Sequence, residues 1–144
     1  MERTRDAPKP SAHIVGAHLE VVHYPVNTVI TDWSTSDSRS HLAGGMTYRD
    51  GKLTVPRAAK YYIYAQLYFR SLGRVFFVVN DDNAVTLLQR SETGRAEGPR
   101  NAFGVFDLKA GDTISLKINS WGAPQNGVEF WFNGYHDYFG AFLI

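Results

Sequence analysis

Of the residue types able to do covalent or metal chemistry, this 144-residue chain has five histidines and fourteen acidic side chains, and no cysteine. Without cysteine there is no thiolate nucleophile, no thiolate metal site and no disulfide framework. The histidines are His13, His18, His23, His41 and His136. His18 and His23 stand five apart, which places them on opposite faces of a regular strand. No compact acid–histidine motif accompanies them. Asp81 and Asp82 could suggest calcium, but Asn80-Asp-Asp-Asn83 between two apolar runs is first of all a tight polar turn. Asp137 and Glu129, set among aromatics, are the pair of carboxylates that could serve a sugar site. No Gly-x-Ser-x-Gly, His-Glu-x-x-His or phosphate-loop pattern occurs. Gly94–Gly98 has too few glycines and no helix after it. None of these residues forms a recognised catalytic motif.

The whole-chain balance narrows this further. A net charge of +1 argues against an electrostatic nucleic-acid or polybasic membrane function. No apolar run approaches the ~18–20 residues that span a bilayer. Residues 1–10 are charged and Pro-rich with no apolar segment, as in a disordered arm or stalk remnant, so the folded domain is expected over 11–144. The chain ends Tyr138-Phe-Gly-Ala-Phe-Leu-Ile144, apolar to the last residue, and such an end must be tied into a core or an interface. Aromatic content is 14%: nine Phe, eight Tyr and three Trp, a large packing payload for one domain.

The elements that would position these residues are strands. Short β-type runs recur between turn residues, and helix signals are weak. The spacing predicts strands over Ala12–His18, Val26–Trp33, Leu42–Tyr48, Lys52–Val55, Lys60–Arg70, Val75–Asn80, Val85–Arg90, Asn101–Leu108, Thr113–Asn119, Val128–Phe132 and Tyr138–Ile144. Asp50-Gly51 is a hairpin signal, and Ser91–Arg100 and Ser120–Gly127 are polar loops. Ten or so short strands at this spacing mean an all-β sandwich or barrel.

Strand parity carries the main information. Along Tyr61–Phe69 one face holds Tyr61, Ile63, Ala65, Leu67 and Phe69, an ordinary core face. The other holds Tyr62, Tyr64, Gln66 and Tyr68, where a monomeric sandwich would put charged and small polar residues. That amphipathic set suits a protein interface; the competing reading is an inner face closed by a second sheet. The last strand is also apolar on both faces, with Tyr138, Phe142 and Ile144 on the second. Asn101–Leu108 places Phe103 and Val105 against Gly104, Phe106 and Leu108. Thr113–Asn119 alternates cleanly, with Ile114, Leu116 and Ile118 inward. The simplest account is a sandwich with one side covered by identical copies.

Several segments carry a family likeness: Lys9-Pro-Ser-Ala-His-Ile-Val-Gly16, Trp33 followed by Leu42-Ala-Gly-Gly-Met46, Gly51-Lys-Leu-Thr-Val-Pro56 and Tyr61-Tyr-Ile-Tyr-Ala-Gln-Leu-Tyr-Phe69. With Val105-Phe-Asp-Leu-Lys-Ala-Gly-Asp112 and Tyr138-Phe-Gly-Ala-Phe142, they resemble, in order, the tumour necrosis factor (TNF) superfamily ligands. The last two segments are shared with C1q-like domains, whereas the Ala-His strand, the Trp after it and Ile-Tyr-Ala-Gln favour the TNF side. The resemblance implies a ten-stranded jelly-roll β-sandwich that assembles as a homotrimer. It implies a non-enzymatic cytokine without cofactors, which binds and clusters cysteine-rich TNF-receptor-type ectodomains. Alternatives are a C1q-like trimeric recognition domain and a carbohydrate-binding jelly roll.

Carried over by position, the resemblance puts Tyr62, Tyr64, Gln66, Tyr68, Phe106, Tyr138, Phe142 and Ile144 on the trimer-facing side, with His13 near the axis. One His13 per protomer could in principle give a metal three ligands; a packed or solvated histidine is the plainer reading. Receptor-contact regions would be the loop with Ser36, Asp37 and Arg39, the turn from Arg70 to Arg74, the turn with Asp81, Asp82 and Asn83, and the loop with Trp121 and Gln125. Many members carry a hydrophobic Tyr in the turn matching Asp81-Asp82, where this chain is wholly polar. The resemblance therefore implies either a receptor read by charge or an anchor elsewhere, such as Trp121. It also implies an extracellular fragment, secreted or shed from a type II membrane precursor.

Overall fold

A computed structural model describes residues 8–17, 20–91, 97–119 and 127–144. Its strands, in chain order, are β1 (Ser11–Gly16), β2 (Glu20–Tyr24), β3 (Trp33–Ser34), β4 (His41–Ala43), β5 (Thr47–Arg49), β6 (Lys52–Thr54), β7 (Ala59–Phe69), β8 (Gly73–Val79), β9 (Asn83–Arg90), β10 (Gly98–Leu108), β11 (Thr113–Asn119), β12 (Val128–Phe132) and β13 (Tyr138–Leu143). They form two antiparallel sheets facing each other, and no helix is present among the described residues. The larger sheet runs β2-β12-β7-β13-β1-β3, with β10 also paired to β7 and β4 to β1. The smaller runs β5-β6-β11-β8-β9. Of the sandwich and the barrel that the strand spacing allows, this is the sandwich.

Three local differences change the strand count. The run 26–33 is not one strand: Asn27 adopts a φ of 64°, and the segment meets β11 through an isolated bridge, Val29 to Lys117, with backbone hydrogen bonds from Asn27 N to Ile118 O, Ile118 N to Thr28 O and Ile30 N to Leu116 O. Only Trp33 joins a strand, β3. The run 42–48 splits at Gly44-Gly45, where β4 leaves the larger sheet and β5 enters the smaller. Gly44 has a φ of +65°, and a Cβ there would lie 2.5 Å from the Lys9 carbonyl, so glycine alone fits the crossing. β2 has no counterpart among the predicted strands; it pairs with β12, more than a hundred residues on, from Glu20–Phe132 to Tyr24–Val128. Pro10 belongs to the fold and not to the arm: it is buried, and its carbonyl accepts from Leu143 N at 3.0 Å.

The core lies between the sheets. Tyr61, Ile63, Leu67 and Phe69 of β7 are fully buried and meet Phe77 and Val75 of β8, Leu116 of β11 and Phe139 of β13. Trp33 closes one end, 4.9 Å from the Phe132 ring and 4.8 Å from Phe139, and its Nε1 donates to the Ile30 carbonyl. At the β5–β6 hairpin, Asp50 and Gly51 both take positive φ, the two-residue turn their sequence predicts. The outward side of β11 is less open than its clean alternation suggests, since Ser115 and its cross-strand partner Val78 are both buried.

β12 and β13 lie along the same edge of β7 and are separated by the turn 133–137. Asp137 bridges the gap. Its Oδ2 accepts from Tyr68 N at 2.9 Å, where a ladder carbonyl would otherwise serve, and its Oδ1 accepts from Asn133 N at 3.1 Å. The side chain is fully buried, and desolvation pushes its carboxyl up to about 7 against the opposing pull of the two N–H donors. The folded state therefore favours the protonated form, and this contribution fades as pH rises through the folded value. Asp137→Asn keeps one acceptor oxygen but turns an NH2 toward the other N–H, and should cost about 1–3 kcal/mol. In urea melts the deficit of the variant should be largest below pH 3.8 and shrink as pH passes about 7. A pH-independent deficit would rule the titration out.

Candidate assembly interface

Register fixes which side chains share the outer side of the larger sheet. Across β7 and β13, Tyr62 lies opposite Phe142, Tyr64 opposite Gly140 and Gln66 opposite Tyr138. Across β13 and β1, Gly140 lies opposite His13. Across β7 and β10, Tyr62 meets Val105, Tyr64 meets Phe103 and Gln66 meets Asn101. One face thus gathers residues from four strands that are distant in sequence.

The face is an aromatic sheet. Tyr62 stacks on Phe142 at 5.1 Å and on Phe103 at 6.0 Å between ring centroids. Tyr64 lies 6.1 Å from Tyr62 and 6.3 Å from Tyr138. His13 packs between Tyr64 and Tyr138, at 5.7 and 5.1 Å, with its Nδ1 2.6 Å from the Tyr64 hydroxyl. Burial pushes the Tyr64 phenol up to about 12, with Tyr138 and Tyr62 adding to it, and pulls the His13 imidazole below its ordinary value, with His41 adding to that. Gln66 Nε2 donates to the His136 carbonyl, and Tyr68 meets Trp131 edge-on at 5.3 Å.

This arrangement leaves large apolar side chains open. Phe103 is 63% exposed, Ile144 56%, Val105 48% and Phe142 40%. Exposed apolar groups of this size, gathered on one face, mark an interaction surface. Phe103 and Val105 were not singled out as interface residues from sequence, because both faces of β10 carry apolar residues. Phe106 is the corresponding correction. It sits opposite Tyr61 on the core-facing side, folds over Gly104 and packs against the core, so it is not on this face.

The positions expected to touch a receptor are scattered over other surfaces. Asp37 holds Arg39 in a two-pronged pair at 2.8 and 2.9 Å, which lowers its carboxyl to about 2. The Arg39 guanidinium lies 4.8 Å from the Tyr135 ring centroid. Tyr135 is 73% exposed and escaped the sequence reading; its place beside Arg39 depends on the turn 133–137. Ser36 lies near Ser34, with hydroxyl oxygens 3.3 Å apart. Arg70 pairs with Glu97 at 3.5 Å, and with Val21 and Trp131 they line a cleft of about 250 Å³. Arg74 donates to Gln89. Asp81 pairs with Lys52 at 2.6 Å, while Asp82 and Asn83 are exposed beside it. Trp121 and Gln125 lie outside the described residues, as does His18. Asp137, with both carboxyl oxygens engaged by backbone, does not form a sugar-binding pair with Glu129.

Gly140 lets the face close. A Cβ there would lie 2.3 Å from the Ala12 carbonyl and 2.5 Å from the Tyr64 hydroxyl. Gly140→Ala should therefore destabilise the fold by about 1–3 kcal/mol in a denaturant melt, an overpacking cost that an unshifted midpoint would disprove.

Comparison with known proteins agrees with this geometry. The profile of the TNF (Tumour Necrosis Factor) family matches residues 31–144. The chain is 30% identical to tumor necrosis factor of Tupaia tana over 134 aligned positions, covering 77% of this chain and 54% of that protein. It is 27% identical to that of Rattus norvegicus over 133 positions, with the same coverage. The chain thus spans about half the length of the curated relatives it matches. Among solved structures, the Eiger TNF of S. frugiperda superposes with a TM-score of 0.75 at 18% identity, covering 95% of this chain and 93% of that one. Murine APRIL superposes with a TM-score of 0.67 at 17% identity, covering 95% and 100%. These neighbours share the jelly-roll sandwich fold. With its profile matched over most of the described sandwich, the chain belongs to the TNF family, whose members are cytokines and not enzymes.

Proposed function

We propose that this domain acts outside the cell as a homotrimeric ligand that binds and clusters cysteine-rich receptors of the TNF-receptor type. The observation that carries the assembly half is the two-faced strand β7. Its inner residues complete the core, and its outer residues anchor an aromatic face that extends over β1, β13 and β10. Among the described residues of one chain nothing covers that face; a second and third copy would supply the cover by symmetry. Three copies then present equivalent receptor-binding surfaces, and simultaneous engagement raises avidity without any new contact. The Asp81-Asp82 turn and the Asp37–Arg39–Tyr135 cluster are the receptor-facing elements under this reading. They are exposed, charged or aromatic, and lie off the aromatic face.

Sedimentation should give a mass near three times the 16.2 kDa chain. Phe103→Ala is the clean probe, because the ring is open in the single chain and its loss leaves the core intact. It should weaken assembly by about 2 kcal/mol or more, on the order of thirtyfold, while the unfolding of the protomer stays unchanged. A stable monomer in the unaltered protein would end the proposal. The receptor half is tested by pull-down of a TNF-receptor-type ectodomain with the intact oligomer. Capture should fall when Asp81 and Asp82 are both changed to Ala and the mass is preserved. Binding to a glycan array without any receptor capture would favour the carbohydrate-binding alternative.

A further inference from the structure

The histidines of the aromatic face have an environment that sets them apart from the rest of it. His13 on β1 and His41 on β4 are register partners, so their side chains project from neighbouring strands on the same side. His13 is half-buried between Tyr64 and Tyr138 and bonded through Nδ1 to the Tyr64 hydroxyl. His41 lies at the rim, exposed, with its Nε2 3.1 Å from the Ser11 hydroxyl. The strands packed around His13 supply no carboxylate to this face. β1 gives Ser11, β4 gives His41, β7 gives Tyr62, Tyr64 and Gln66, and β13 gives Tyr138, Gly140 and Phe142. The charged groups flanking the set are already committed. Lys60, at the far end of β7, pairs with Asp107. Arg39 pairs with Asp37. Asp137 turns to the Tyr68 and Asn133 amides.

We infer that the His13–His41 pair makes self-association through this face acid-labile, holding copies together at neutral pH and releasing them under mild acidification. The inference rests on the proposed self-association. Covering the face with another copy removes the remaining water around His13 and leaves its protonated form without a counter-ion. His41, opposite it on β4, acts on His13 in the same direction. Burial and His41 already pull the His13 imidazole below its ordinary value in the single chain, which is the same sign. The proton-free form is thus the one the packed face favours. Stability from a proton-free His13 is full above the ordinary histidine value of about 6.5 and is lost as pH falls through its lowered folded value. Asp137 titrates in the opposite sense within the protomer and so does not mimic the effect.

The test is sedimentation mass against concentration at about pH 7.5 and about pH 5.5, with near-UV circular dichroism to confirm that the sandwich stays folded. The concentration at half-assembly should rise about tenfold or more on acidification. His13→Gln combined with His41→Gln should abolish that rise, since the amide introduced on β1 can still bond the Tyr64 hydroxyl but cannot titrate. If the double variant does not assemble at neutral pH, His13→Phe keeps the ring packing and serves in its place. Assembly that is equally strong at both pH values overturns the inference and leaves the self-association reading standing. An equal acid response in wild type and variant also overturns it, since other groups would then be responsible. A monomer at both pH values overturns the self-association reading, and the inference with it.

Discussion

The structure depends on β7 being apolar on both sides. A strand in a two-layer sandwich needs one buried face, and Tyr61, Ile63, Ala65, Leu67 and Phe69 meet that need completely. The second face, with Tyr62, Tyr64, Gln66 and Tyr68, lies outside the core between the sheets. It obliges the strands beside it to match. β13 answers with Tyr138 and Phe142, β10 with Phe103 and Val105, and β1 with His13. Each of these would be an odd choice for a solvated strand, and together they form one surface. The aromatic excess is therefore divided between the core and this outer face, with rings such as Phe77, Phe130 and Phe139 filling the former.

Positioning of that surface relies on a few constraints that are not hydrophobic. Gly140 allows β1 and Tyr64 to approach β13 closely. Asp137 replaces a missing ladder carbonyl, so that β12 and β13 can share one edge of β7 despite the turn between them. The same turn sets Tyr135 against Arg39. One short segment thus joins the integrity of the sheet to the shape of a remote exposed cluster.

How much of this was legible in the sequence follows from how local each signal is. The inner and outer sets of β7 are written in strict alternation over nine residues and were readable directly. β10 has the same alternation, but Phe103 and Val105 are as apolar as Phe106 and Leu108. Only the pairing of Phe106 with Tyr61 decides which set faces inward. β2 has no contrast between its two sides, and its partner lies over a hundred residues away. The run 26–33 looks extended by propensity, yet after the left-handed Asn27 it meets β11 only through an isolated bridge and a few backbone hydrogen bonds. Asp137 could not be read as structural because its two donors come from Tyr68 and Asn133, which tertiary folding brings together. The family likeness, carried by ordered segments from Lys9 to Phe142, was legible because it combines many weak local signals.

The position of β10 has a consequence for the chain before it finds its copies. Among the described strands it forms a ladder only with β7, so its other edge has no ladder partner among them. That edge lies beside Phe103 and Val105, the most apolar part of the open face. An unpaired strand edge next to exposed aromatic surface is the combination that templates irregular aggregation. If the domain self-associates as proposed, newly made chains face a kinetic competition, in which ordered association must outrun disordered sticking. Local protein concentration during synthesis and the speed of subunit encounter then matter as much to yield as the stability of the finished fold.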